Sequence, residues 1–85
     1  MARYRIVFAP TAERQFLRLS KIVRLRVARA IAKLANDPSI GKQLKAELSD
    51  YRSFRVGDYR VIYFVRRNLV QVEIIRVAHR KESYR

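Results

Sequence analysis

The chain has 85 residues and no cysteine, and twenty Lys and Arg against seven Asp and Glu give it a net charge of +13. That length supports one core and not two, so residues 1–85 are expected to form a single domain. The missing thiols exclude disulfide staples, Cys-based zinc sites and cysteine nucleophiles, and a single histidine, His79, leaves no His-rich metal centre; no metal or cofactor is expected.

Hydrophobic residues make up 49% of the chain, a proportion for a folded domain rather than a charged disordered tail. No apolar run approaches the ~18 residues that span a bilayer. The stretch Met1-Ala2-Arg3-Tyr4-Arg5 lacks the apolar segment of a signal peptide, so a cytoplasmic location without a membrane partner is expected. The basic excess consists of fifteen Arg and only five Lys. Arginine's planar fork binds phosphates and carboxylates through two bonds at once, and so dense a charge repels itself. It points to a polyanion, nucleic acid or a ribonucleoprotein, or to an acidic protein partner.

In chain order, Tyr4, Ile6 and Phe8 alternate with Arg3, Arg5 and Val7, which predicts a first strand. Pro10 and Thr11 then start a helix, with Glu13 in its positive first turn and Ala12, Phe16 and Leu19 on its apolar side. Ser20 breaks that helix or caps the next. The second helix is predicted over Lys21–Ala35, where Val23, Val27, Ala30, Ile31 and Leu34 form one stripe and Arg26, Arg29 and Lys33 share another side. Asn36-Asp37-Pro38-Ser39 ends it. Between Gly41 and Asp50, Leu44 and Leu48 stand at helical spacing.

From Tyr51 the period becomes two. Ser53–Val56, Tyr59–Arg66 and Leu69–Ala78 are predicted strands, joined by Gly57-Asp58 and Arg67-Asn68 as two-residue hairpin turns. The order β-α-α-β-β-β gives an α+β fold, an antiparallel sheet joined by the first strand, with two helices packed on one face. This register sets Val56 against Tyr59, Arg55 against Arg60 and Phe54 against Val61. Across the second turn it sets Arg66 against Leu69, Tyr63 against Val72, Val61 against Ile74 and Arg60 against Ile75. Phe54, Val56, Tyr59, Val61, Tyr63, Val65, Val70, Val72 and Ile74 then share a core face. Ser53, Arg55, Arg60, Ile62, Phe64, Arg66, Gln71, Glu73, Ile75, Val77 and His79 share the other. Arg55 and Arg60, opposed on that second face, repel each other unless an anion lies between them. Apolar residues beside these arginines suit base stacking, a docked partner segment or cover by the C-terminal tail.

The strings Arg55-Val56-Gly57-Asp58-Tyr59-Arg60-Val61-Ile62-Tyr63 and Val72-Glu73-Ile74-Ile75-Arg76-Val77-Ala78-His79-Arg80, with the ending Ser83-Tyr84-Arg85, resemble the RelE toxin branch of the RelE/ParE superfamily. The resemblance covers essentially the whole chain. It implies a toxin of a type II toxin–antitoxin pair that enters the ribosomal A site and cuts mRNA without metal, the ribose 2′-OH attacking the neighbouring phosphate. By the same resemblance Arg60 holds the phosphate, Arg80 lies near the leaving group or the developing charge, and Tyr84 stacks on a base or takes part in proton transfer. Arg52 and Arg55 fall where the family has basic residues on its second strand. Phe54 stands where some members carry a lysine implicated in acid/base work.

Cleavage by a 2′-OH needs in-line geometry and neutralised phosphate oxygens. Arginine supplies the second and, always charged, serves poorly as a base, which leaves His79 and Tyr84 for proton transfer. The stripe Arg26, Arg29, Lys33 is a solvated helix side or a footprint on ribosomal RNA. The resemblance further implies a cognate acidic antitoxin and a toxin–antitoxin hetero-oligomer. Two other functions remain: a ParE-like toxin that inhibits DNA gyrase by binding it, and an RNA-binding protein without activity.

Overall fold

The computed structural model describes residues 3–44 and 50–81. These run β1 (Arg5–Phe8), α1 (Pro10–Leu17), α2 (Lys21–Lys33), β2 (Lys42–Gln43), β3 (Tyr51–Val56), β4 (Tyr59–Arg66), a 3-10 turn (Arg67–Leu69) and β5 (Gln71–His79). Ser20 caps α2, its hydroxyl accepting the Val23 N–H at 3.4 Å, and satisfies one of the donors a helix start leaves open. Pro10 opens α1, where a missing N–H costs nothing.

One sheet in the order β1-β5-β4-β3-β2 carries both helices on one face. It is mixed rather than antiparallel throughout: β1 runs parallel to β5, Arg5 beside Gln71 and Phe8 beside Ile74. The two-helix connection carries the chain back to the end of the sheet where β1 began, as a parallel pairing requires. Lys42–Gln43 is also extended, against β3, and Leu44 N–H donates to the Tyr51 carbonyl, so the helical spacing at Leu44 does not hold. Leu48 lies outside the described residues.

The core sits between sheet and helices. Val27 and Leu34 of the α2 stripe meet Val61, Tyr63, Val72 and Ile74, all fully buried, each contributing about 1.5–3 kcal/mol of apolar burial. Ala12 of α1 is also fully buried, and the Phe8 and Phe16 rings lie 5.1 Å apart, tying β1 to α1. The Tyr63 hydroxyl donates to the Pro38 carbonyl at 2.7 Å and accepts the Gly41 N–H at 2.9 Å, fastening the connection after α2 to the sheet.

The first hairpin has the expected register, Val56 opposite Tyr59, Arg55 opposite Arg60 and Phe54 opposite Val61. The second does not. Arg66 pairs with Gln71, not Leu69, because Arg67–Leu69 winds into a 3-10 turn closed by Val70 in the left-handed region (φ 50°). Val70 is thus an exposed turn residue rather than a core one. Farther along, Tyr63 pairs with Ile74 but Ile62 with Arg76, so Ile75 is an extra residue on β5, a β-bulge.

Candidate functional site

The turn between β3 and β4 organises the basic end of the sheet. Gly57 takes φ +60°, which glycine adopts without strain and which a tight two-residue hairpin needs at this position. The turn holds Arg55 and Arg60 directly opposite each other on the face away from the helices, Arg55 exposed and Arg60 half-buried. On its other side Arg60 is flanked by Ala78 of β5, whose side chain ends at Cβ. The Arg80 N–H donates to the Asp58 carbonyl at 2.6 Å and locks the end of β5 to this turn.

The bulge decides which β5 side chains join the arginines. A strand alternates its side chains between faces, so one extra residue reverses every assignment beyond it. Val77 therefore turns into the core, 2% exposed, and His79 follows it to the α1 side. The expected placement of Val77 and His79 on the arginine face is corrected accordingly. Arg76 and Ala78 occupy that face instead, and Arg80 follows in the turn after β5. Strand alternation alone does not single out Arg76, because only the bulge brings it there.

His79 stands against Tyr59, the two rings edge to face with centroids 5.2 Å apart. Its Nδ1 accepts the Lys81 N–H at 3.2 Å, which sets the proton of the neutral ring on Nε2. Together with Gln15, Arg18, Leu19, Tyr59 and Val77 it lines a cleft of about 230 Å³ between α1 and the sheet. Tyr84 lies outside the described residues.

Arg52 has a different position from Arg55 and Arg60. It pairs with Tyr63, on the helix-side parity, and its guanidinium donates to the Gly41 carbonyl at 2.8 Å and the Ser39 carbonyl at 3.5 Å. It thus anchors the loop before β2, on the opposite side of the sheet from the arginine pair. Glu73 is bound to Arg66 at 2.8 Å, toward the far end of the sheet, with the Arg66 guanidinium 4.8 Å over the Phe64 ring.

The α2 cations do converge with the hairpin. Arg26, Arg29 and Lys33 join Arg55 around a groove of about 450 Å³ lined also by Ile22, Leu25 and Val56. An Arg26 guanidinium nitrogen comes within 3.8 Å of the point a Cβ on Gly57 would occupy. Cationic side chains therefore run from Lys33 along α2 to Arg55 beside the turn, with Arg60 paired to Arg55 on the next strand. Such a band suits a long polyanion, because each phosphate neutralised releases a counterion. Among the described residues no group of three or more His, Asp or Glu lies close enough together to hold a metal ion, and no helix is long and apolar enough to cross a membrane.

Residues 6–84 match the family model described as ParE toxin of type II toxin–antitoxin system, parDE. The chain is 39% identical over 84 residues to Toxin RelE of Mycobacterium tuberculosis (strain ATCC 25618 / H37Rv), covering 96% of this chain and 87% of that protein. It is 36% identical over 84 residues to Toxin RelG of the same organism, covering 96% and 97%. Among solved structures it is similar to a chain of the toxin–antitoxin complex RelBE2 from Mycobacterium tuberculosis, with a TM-score of 0.82, 34% identity, and 92% and 99% of the two chains covered.

Proposed function

This chain belongs to the RelE/ParE family of type II toxin–antitoxin toxins, and from that premise we propose that it is a ribosome-dependent endoribonuclease that cuts mRNA in the A site and so halts translation. The observation that carries this reading is the joint effect of the Gly57 turn and the β5 bulge. Arg55 and Arg60 share one end of one sheet face, and the Arg80 backbone is tied to the turn between them, which supports the reading.

In the proposed reaction the ribose 2′-oxygen attacks the adjacent phosphorus. An O2′–P bond forms, the P–O5′ bond breaks, and a cyclic phosphate and a 5′-OH result. The charge that builds on the equatorial oxygens is met by the Arg60 and Arg80 guanidiniums, which remain protonated throughout. Two protons move, one off the 2′-OH and one onto the leaving 5′-oxygen. Tyr84 and His79 are the candidates for these transfers, and the α1-side position of His79 favours Tyr84 for the step on the arginine face. With no strong base in the set, most of the rate must come from the ribosome holding the mRNA in line, and free RNA is a poor substrate. The α2 band with Arg55 is the proposed contact to ribosomal RNA. Arg52, engaged with the Gly41 carbonyl, supports the fold beneath it.

A charge of +13 also calls for neutralisation when the toxin is silent. The partner proposed is an acidic cognate antitoxin in a hetero-oligomer, in line with the complex in which the RelBE2 relative was solved. The family model is described by its ParE members, which keeps inhibition of DNA gyrase by binding as the second reading.

One experiment separates the two. Purified ribosomes translate a defined mRNA, the protein is added, and new 5′ ends are mapped by primer extension. Cuts at A-site codons that disappear in Arg60→Ala and Arg80→Ala support the nuclease. Intact mRNA together with blocked supercoiling by gyrase overturns it in favour of the second reading.

A further inference from the structure

We infer that Gln15 is a positioning residue for the arginine cluster: from α1 it holds the bulged end of β5 in the register that puts Arg76 on the face of Arg60 and brings the Arg80 N–H to the hairpin turn. Its catalytic readout rests on the nuclease reading, and its structural readout does not.

The reasoning starts from an accounting of backbone donors. Strand β5 runs to His79, but its neighbour β1 reaches only Ile74, whose carbonyl takes the Ala9 N–H at 2.9 Å. Beyond that point the β1-side edge of β5 has no strand partner among the described residues, and a half-buried N–H there needs an acceptor. Helix α1 follows directly on β1 and fills the place a longer first strand would have taken. From it the Gln15 side-chain oxygen accepts the Val77 N–H at 2.8 Å.

The identity of that donor matters. In a strand, backbone groups facing a given edge recur every second residue. Ile74 faces β1, so an unbulged β5 would present Arg76 to Gln15. The extra residue at Ile75 presents Val77 instead. The Gln15 bond and the bulge therefore select the same register, the one in which Val77 is in the core and Arg76 on the open face. Three residues farther on, at the opposite edge of the strand, Arg80 N–H meets the Asp58 carbonyl. The segment that bears the cluster is thus tied on both sides, to α1 through Gln15 and to the hairpin turn through Asp58.

Gln15→Met keeps the length of the side chain and removes the acceptor; Gln15→Glu keeps an acceptor oxygen. Gln15→Asn, too short to reach, gives a second disruptive variant if Gln15→Met prevents folding. In the protein alone, amide exchange at Val77 and Arg80 is expected to speed up in Gln15→Met and Gln15→Asn and to stay near wild type in Gln15→Glu, with the β3–β4 amides unchanged. On programmed ribosomes, kcat for mRNA cleavage falls by about 10- to 100-fold in the disruptive variants, the scale of a small misplacement of reacting groups. KM for ribosomes does not move, since the α2 band is untouched, and Gln15→Glu restores kcat. Unchanged exchange at Val77, or full kcat in Gln15→Met, overturns the inference. Failure of the wild-type protein to cut mRNA overturns the nuclease reading instead, and amide exchange then decides the role of Gln15 by itself.

Discussion

Tyr63→Phe removes one oxygen atom from the centre of the molecule. That oxygen serves two backbone groups, accepting from Gly41 N–H at 2.9 Å and donating to the Pro38 carbonyl at 2.7 Å, with Tyr63, Pro38 and Gly41 all buried. The phenyl ring of the variant fills the same space against Phe54, whose ring centroid lies 5.9 Å away, so no large cavity opens. What remains is a donor and an acceptor out of reach of water, each costing about 1–3 kcal/mol when unpaired. The expected loss is about 2–4 kcal/mol, a large part of the margin of a domain this size. Urea unfolding followed by circular dichroism measures it as a lower midpoint with the same slope. The variant also changes the alkaline limb of the stability curve. Burial pushes the Tyr63 hydroxyl above its ordinary pKa of 10.0, against the smaller opposing effects of the Gly41 N–H and Arg52. The folded protein holds the proton where the unfolded chain releases it. Tyr63 therefore stabilises the fold fully below the unfolded value, and this contribution is lost as pH rises through the raised one. Tyr63→Phe lacks that alkaline decline. A midpoint shift equivalent to less than about 0.5 kcal/mol would refute the reasoning, because it would mean the two backbone groups find other partners at no cost.

The same clamp predicts that Gly41→Ala is disruptive: a Cβ there would stand 2.5 Å from the Tyr63 hydroxyl oxygen and 3.0 Å from the Ser53 carbonyl. Overpacking of this kind costs about 1–3 kcal/mol by the same urea measurement. Val70→Gly is expected to stabilise, since a β-branched residue at φ 50° carries roughly 1–2 kcal/mol of strain that glycine does not; a raised melting temperature checks it. Reversing Arg26, Arg29 and Lys33 to Glu together should flatten the salt dependence of ribosome binding, by about 0.7–0.9 in log–log slope for each phosphate that is no longer neutralised. Cleavage at saturating ribosome concentration should be unchanged, and an unaltered slope would remove α2 from the RNA interface.

The parts of this fold legible in the sequence are those where a local signal and a tertiary demand agree. The α2 stripe and the Ser20 cap are of this kind, and so is the Gly57 hairpin, whose turn residues and flanking alternation specify one register. The second hairpin is not legible. Arg67-Asn68 reads as a two-residue turn, yet the chain adds a 3-10 turn and a left-handed valine that its composition does not announce. The bulge is hidden for a related reason. Ile74, Ile75 and Val77 are apolar on both parities, so alternation cannot choose which of them faces the helices. The error passes directly to the site, placing His79 among the arginines and leaving Arg76 out. Arg52 shows a second kind of limit, because nothing in the sequence around it announces that its guanidinium holds the Gly41 carbonyl. The antiparallel expectation fails at β1 alone, whose four residues carry no mark of direction.

The parallel seam between β1 and β5 has a consequence for the order of assembly. Residues near one end of the chain pair with residues some sixty-six positions later, and so long a loop must close before the sheet gains its final edge. Before Gln71–His79 joins the sheet, β1 and α1 have no strand edge to pack on, and the Gly57 hairpin lacks the bond from the Arg80 N–H to the Asp58 carbonyl. The strand that completes the sheet also carries Arg76, and Arg80 follows it, so closure of the sheet and placement of that segment coincide.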